Sequence, residues 1–421
     1  MKLLIKNATI VDSRNPLNGK KRDILITNGT IEQIATNISE PKAKVVKSNN
    51  LHVSIGWFDF RAQLNDPGYE YKEDIESGLN AAAKGGFTAI AVLPNTKPVV
   101  DSKSGVNYAI QQSQNHLVDL YPYGTISRKA KGENLAELFD MKQAGAIAFT
   151  DGHQSVKDTS MMYRGLLYSK GFDGLILNMP NDESLSAEGK MNEGETSTML
   201  GLKGLPSIAE ELMIVRDLYL NEYTNGKLHI GPISSQKAVK LIKQGKKEQA
   251  SLSSETTIMN LIFTDQVLEG FDSNFKLFPP LRTKADQKAL LKGLLDDTID
   301  VLSSNHTPEN IENKDVEFDY ASFGIIMLET FYALYNEHIS EQLPHDKFVD
   351  KAAINPREIL GIETPEILVG NSANLTCFDP TVKWVYSSDS KISKSSNSPF
   401  LNQELLGKVL AVFNHKQAAY F

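Results

Sequence analysis

The chain has a single cysteine, Cys377. It can form no internal disulfide and no thiolate-based zinc site, and such usage suits a reducing cytoplasm. No run of about 18 apolar residues is present to span a bilayer. The opening stretch MKLLIKNATIVD is apolar only until Lys6 and Asn7 interrupt it; it reads as a strand rather than a signal peptide. Blocks of like charge, which mark interaction tails, are missing too. A net charge of -8 over 421 residues speaks against a nucleic-acid surface. What remains, 41% hydrophobic and 23% charged residues, is ordinary for a globular protein. The length suits one large barrel plus a smaller domain. A cytoplasmic protein without nucleic-acid or membrane partners is expected.

Two kinds of pattern divide the chain. Residues 1–53 show short alternating strands with an Asn28-Gly29 turn signal, and the stretch 365–421 resembles them (ANLTCFDP, KWVYSS, GKVLAVFNHKQAAYF). Neither piece holds a helical period, so one small β-sandwich built from both ends is expected. Between them, residues 54–364 alternate strand-like and helix-like segments. The strand candidates are GWFDFRAQL, TAIAVLPN, LVDLYPYGTIS, AIAFTDG, DGLILNMPN, KLHIGPIS, QASLSSETT and IDVLSSNHT. Apolar runs such as AIAVL suit parallel strands covered on both faces. Eight such strands, each followed by helix, predict an α/β fold, a (β/α)₈ TIM barrel. Function in that fold sits at the C-terminal strand ends.

Those ends are short of metal-binding side chains. They carry Arg61, Gln63, Asn65, Asn95, Asp151, Asn178, Pro232 and Asn305. Arginine and proline have no lone pair to give, and zinc prefers imidazole, thiolate and carboxylate to amide oxygen. The helix PSIAEELMIVRDLYL places Ile208, Leu212, Val215 and Leu218 on one face, a stripe expected to pack on the barrel. The serine-rich SDSKISKSSNSP reads as a mobile loop, or alternatively as a lid or docking segment. Glu193 and Glu195 in MNEGETS form a loop carboxylate pair of the kind that acid/base chemistry uses.

Long strings of the chain resemble dihydroorotase, of the type associated with aspartate transcarbamoylase, in the amidohydrolase superfamily. They are DPGYEYKEDIESGLNAAAKGGFTAIAVLPNTKPVVDS, GKMNEGETSTMLGLKGLPSIAEELMIVRDLYL, NFKLFPPLRTKADQKALLKGLLDDTID and FDYASFGIIMLET. The resemblance implies a TIM barrel with a flanking β-sandwich, zinc as cofactor, and interconversion of carbamoyl aspartate and dihydroorotate in pyrimidine biosynthesis. It also implies what has changed. A first-strand His-x-His pair, followed by an arginine for substrate carboxylate, is matched here by Arg61, Gln63 and then Asn65. Histidines of the fifth and sixth strands are matched by Asn178 and Pro232, and His229 matches a non-ligand histidine. The catalytic aspartate of the eighth strand is matched by Asn305, followed by His306. A paired aspartate becomes Asp151-Gly152, and a substrate-facing asparagine becomes Phe278, while Asn95 is kept.

On this reading no metal is held and no catalytic residue is assigned. Arg61, Gln63, Asn65, Asn95, Asp151, Asn178, Phe278 and His306 are the pocket candidates, with Asn305 the degenerate catalytic position. Arg61 is read either as standing where metal charge stood, with Asp151 as counter-ion, or as pointing to solvent at the mouth. His229 and His306 are expected to be buried and hydrogen-bonded; His153, in the loop after the fourth strand, reads as surface or structural, with a place at the pocket mouth as the alternative. The implied function is that of a non-catalytic dihydroorotase-like subunit, a structural or regulatory partner of aspartate transcarbamoylase, forming a homodimer. The alternatives are a metal-independent cyclic-amide hydrolase and a ligand-binding sensor.

Overall fold

The computed structural model describes residues 2–249 and 251–421. Strands from both ends of the chain share one sheet. Lys2–Ile10, Lys21–Thr27, Thr30–Ala35, Lys44–Val46 and His52–Ile55 are joined to Leu375–Tyr386, Gln403–Asn414 and Gln417–Tyr420 through antiparallel pairing of His52–Ile55 with Leu375–Tyr386. The hairpin linking Lys21–Thr27 to Thr30–Ala35 turns on Asn28 and Gly29, both at positive φ (51° and 82°). That geometry suits the right-handed strand twist and explains the Asn-Gly pair.

The barrel strands run Trp57–Ala62, Phe87–Val92, Asp119–Pro122, then Leu175–Asn178, Lys227–Ile230, Leu252–Thr257 and Val301–Ser303, all paired parallel. The fourth segment, AIAFTDG, forms no strand of its own. It joins its neighbours by single bridges from Phe149 to Gly124 and to Ile176. Another bridge, Ala62 to His306, closes the ring between first and eighth strands. Phe58 and Phe60 meet Ala89, Ala91, Tyr123, Leu177 and Val301 in one cluster. Side chains from non-neighbouring strands thus fill the barrel, as the fold requires. Trp57 joins the larger core beneath the helices. No described helix is long and apolar enough to cross a membrane.

Two expectations are corrected. On the helix Ser207–Thr224, Ile208, Leu212 and Val215 are each about half exposed. The face packed on the barrel is formed instead by Ala209, Met213, Ile214 and Asp217, on nearly the opposite side of the helix. The serine-rich segment is tied down rather than loose. Ser393, Ser395, Asn397 and Ser398 are buried. The Ser393 hydroxyl donates to Glu73, the Ser395 hydroxyl to the Lys72 carbonyl, and Asn397 bridges the Thr307 carbonyl and the Glu309 amide. Composition suggested mobility, but burial of these polar side chains against specific partners fixes the segment.

Candidate functional site at the barrel mouth

Arg61 is almost wholly buried. Its Nε donates to Glu255 Oε1 at 2.8 Å, and Nη2 to the Gly231 carbonyl at 3.0 Å. Glu255 lies on the seventh strand, fully buried. Burial would raise its pKa, but the Arg61 guanidinium and His229 outweigh burial and hold the carboxyl down to about 2. His229 brings Nε2 to 3.8 Å from Glu255 Oε1, and its Nδ1 meets the Ser253 hydroxyl at 2.8 Å. Three atoms of this group, Arg61 Nη1, Glu255 Oε2 and His229 Nε2, are buried without a hydrogen-bond partner.

Asp151 is therefore not the counter-ion of Arg61. Its Oδ1 accepts from the backbone of Ile126 and Ser127, both at 2.9 Å, and Oδ2 from the Ser127 hydroxyl at 2.5 Å. These bonds turn the carboxylate into the third-strand loop, which leaves Arg61 to the acid on the next strand but one. Glu255 was missed because SSETT carries no motif. Its one legible signal is an acid inside a strand that must be buried on both faces, where a carboxylate needs a cation.

The rim is a set of amides bonded to one another. Gln63 Nε2 donates to Asn65 Oδ1 at 2.7 Å, and its Oε1 faces His153 Nε2 at 2.6 Å. Asn95 donates to the Asp151 carbonyl and accepts from the His153 amide. Burial, and then the charges of Arg61 and Lys72, push His153 down to about 4, so the ring is neutral. Asn65 and Asn305 sit at positive φ, 63° and 53°, a backbone region asparagine tolerates better than most residues. Asn305 donates to the Phe278 carbonyl at 3.0 Å, and the Phe278 ring stands edge-on to Phe323. Asn178 donates to Asp217 at 2.6 Å and accepts from the Val156 amide. His306 accepts the Met327 amide on Nδ1 and points Nε2 toward Glu73, 3.7 Å away. The structure thus groups Gln63, Asn65 and Asn95 with His153, while Asn178, Phe278 with Asn305, and His306 are engaged separately. Arg61 lies in the interior.

These residues do not suit the zinc that the resemblance implies. A guanidinium, already ion-paired, occupies the first ligand position, and both Asp151 oxygens are consumed. A side chain at Gly152 would begin 1.7 Å from Asn95 Oδ1, so a carboxylate cannot enter there while Asn95 holds its place. Among the described residues no group of three or more His, Cys, Asp or Glu side chains is arranged to hold a metal ion.

Comparison with known proteins bears on the family. Residues 52–238 match the dihydro-orotase-like family model. The chain is 40% identical over 411 residues to the dihydroorotase of Ruminiclostridium cellulolyticum, covering 97% of this chain and 96% of that protein. The chain belongs to the dihydroorotase family. A second dihydroorotase, from Pelobacter propionicus, is 38% identical across the whole of both chains. Among solved structures, the L-hydantoinase of Arthrobacter aurescens superposes with a TM-score of 0.85 at 21% identity, over 99% of this chain and 95% of that one. A Thermus D-hydantoinase gives 0.81 at 22%, again over 99% and 95%. These two show the fold: a TIM barrel with a flanking β domain. As a dihydroorotase-family member, this chain keeps the scaffold and carries the Arg61–Glu255 pair in its interior.

Proposed function

We propose that this dihydroorotase-like protein does not turn over dihydroorotate and instead serves pyrimidine biosynthesis as a structural or regulatory partner of aspartate transcarbamoylase. The observation that carries the reading is the buried Arg61–Glu255 pair. It places positive charge at the first ligand position and gives nothing that can activate water. Ring opening in this family needs a metal-activated nucleophile and a Lewis acid on the carbonyl, with a carboxylate to take the proton. Asn305 cannot accept that proton at neutral pH, and His153, though neutral, already uses Nε2 on Gln63. Scaffold and surfaces can persist while such a pocket drifts. The test has two arms. Purified, zinc-supplemented protein is assayed for dihydroorotate formation and for bound zinc; conversion or stoichiometric metal overturns the reading. Co-expression with the transcarbamoylase of the same cell, followed by size-exclusion chromatography, tests the partnership, which fails if the two elute apart.

One observation favours a second reading, a ligand-binding sensor. Arg61 Nη1 is a buried donor and Glu255 Oε2 a buried acceptor, each without a hydrogen-bond partner; a donor and an acceptor are the two kinds of group that the C=O and N–H of a cyclic amide would satisfy. A saturable rise in melting temperature with dihydroorotate supports it, and a flat response removes it.

A further inference from the structure

A groove of about 910 Å³ runs beside the barrel mouth, between the loop around Phe271, the loop after the eighth strand and the tied-down serine-rich segment. Its apolar surface is unusually open. Tyr71 is 63% exposed, Ile311 66% and Phe271 48%, and Tyr320 projects at 80% just beyond. Phe271 also holds φ at 53°, a conformation rarely adopted by a bulky side chain. The ring rests edge-on against Phe318 and stays half in solvent.

The exposed charge on this surface is mostly acidic. The loop IENKDVEFDY interleaves exposed Glu312, Asp315, Glu317 and Asp319 with exposed Ile311, Val316 and Tyr320. Its one cation, Lys314, is turned inward and spends its ammonium on the carbonyls of Ser273, Ser322 and Gly324. Across the groove Lys394 is paired with Asp74. Lys190 also reaches the loop, donating to the Asp319 carbonyl at 2.9 Å, so the acids outnumber the cations beside them.

We infer that this groove docks an extended segment of a partner protein that carries lysine or arginine between apolar side chains. Apolar anchors would enter beside Phe271 and Ile311, and the cations would face Glu312 and Asp315. A segment of opposite composition would bring like charges together and be rejected. The inference rests on the scaffold reading and gives it a surface, but it stands or falls separately from catalysis.

The test uses the full chain and two fluorescein-labelled decapeptides, one alternating lysine with leucine and phenylalanine, the other identical with glutamate for lysine. Fluorescence anisotropy at about 100 mM salt is expected to show saturable binding of the basic peptide only. Glu312→Lys with Asp315→Lys is expected to weaken it about tenfold or more, and Phe271→Ser with Ile311→Ser to weaken it similarly. The control Glu32→Lys with Glu222→Lys changes net charge equally at exposed sites on the terminal sheet and on the helix Ser207–Thr224, neither of which lines the groove, and is expected to leave binding within about twofold. Equal weakening by the control pair reports general attraction to an acidic protein and overturns the inference. So does binding that ignores the Phe271 and Ile311 changes, or no binding of the basic peptide. Dihydroorotate turnover by the same preparation would sink the scaffold reading while leaving this result standing.

Discussion

Replacing Glu255 by glutamine should be the most damaging single change in the barrel interior. The pair is dry: the side chains of Arg61 and Glu255 are 2% and 0% exposed. Removing one partner of a buried pair leaves an uncompensated charge, a loss of about 3–5 kcal/mol. Arg61 would keep only the Gly231 carbonyl and a neutral amide. Unfolding entropy of roughly 2.1 cal/mol/K per residue over 421 residues comes to about 0.9 kcal/mol/K, so the melting temperature should fall by about 3–6 °C. The double variant Arg61→Met with Glu255→Gln removes both charges and should recover most of the loss, since apolar replacement of a buried pair is often neutral. Differential scanning fluorimetry with urea titration reads both. The pH dependence adds a check. Glu255 is held below its unfolded pKa, at about 2, so its contribution is full above pH ~4.5 and drains as pH falls toward 2. A single variant melting within about 1 °C of the parent, or a double variant no better than the single, would refute the reasoning.

Other outcomes follow from the same geometry. His153 is held at about 4 in the folded chain, below its unfolded value near 6.5; stability should be full above pH ~6.5 and decline as pH falls toward 4, and His153→Gln should flatten that slope in urea titrations run at pH 7 and pH 5. Asn397→Ala cuts the bridge to Thr307 and Glu309; a loss of about 1–3 kcal/mol is expected, with faster amide exchange in residues 391–399 as the local readout. Leu212→Ser on the exposed helix face should move stability by less than about 0.5 kcal/mol, whereas Ile214→Ala, fully buried on the same helix, should lose about 2–5 kcal/mol in the same titration. Arg61→His with Gln63→His should still bind no stoichiometric zinc by elemental analysis, because Asn178, Pro232 and the crowded Gly152 supply no further ligand.

The barrel was legible because burial on both faces forces an apolar signature onto each parallel strand, and segments such as AIAVL carry it without outside help. AIAFTDG carries the same signature yet forms only bridges at Phe149. Strand pairing depends on the two neighbours' register, which no local string encodes. The helix stripe misled for a related reason. Periodicity finds an apolar face but cannot say which face meets the barrel, and here Ala209, Met213 and Ile214 meet it.

The sequence by itself determined which chemical groups stand at the barrel mouth, because side-chain identity fixes what can donate an electron pair or accept a proton. Only the tertiary structure decided their partners. Arg61 and Glu255 are 194 residues apart, and a buried charge takes whichever opposite charge the closed barrel brings within reach, a distance that depends on every strand between them.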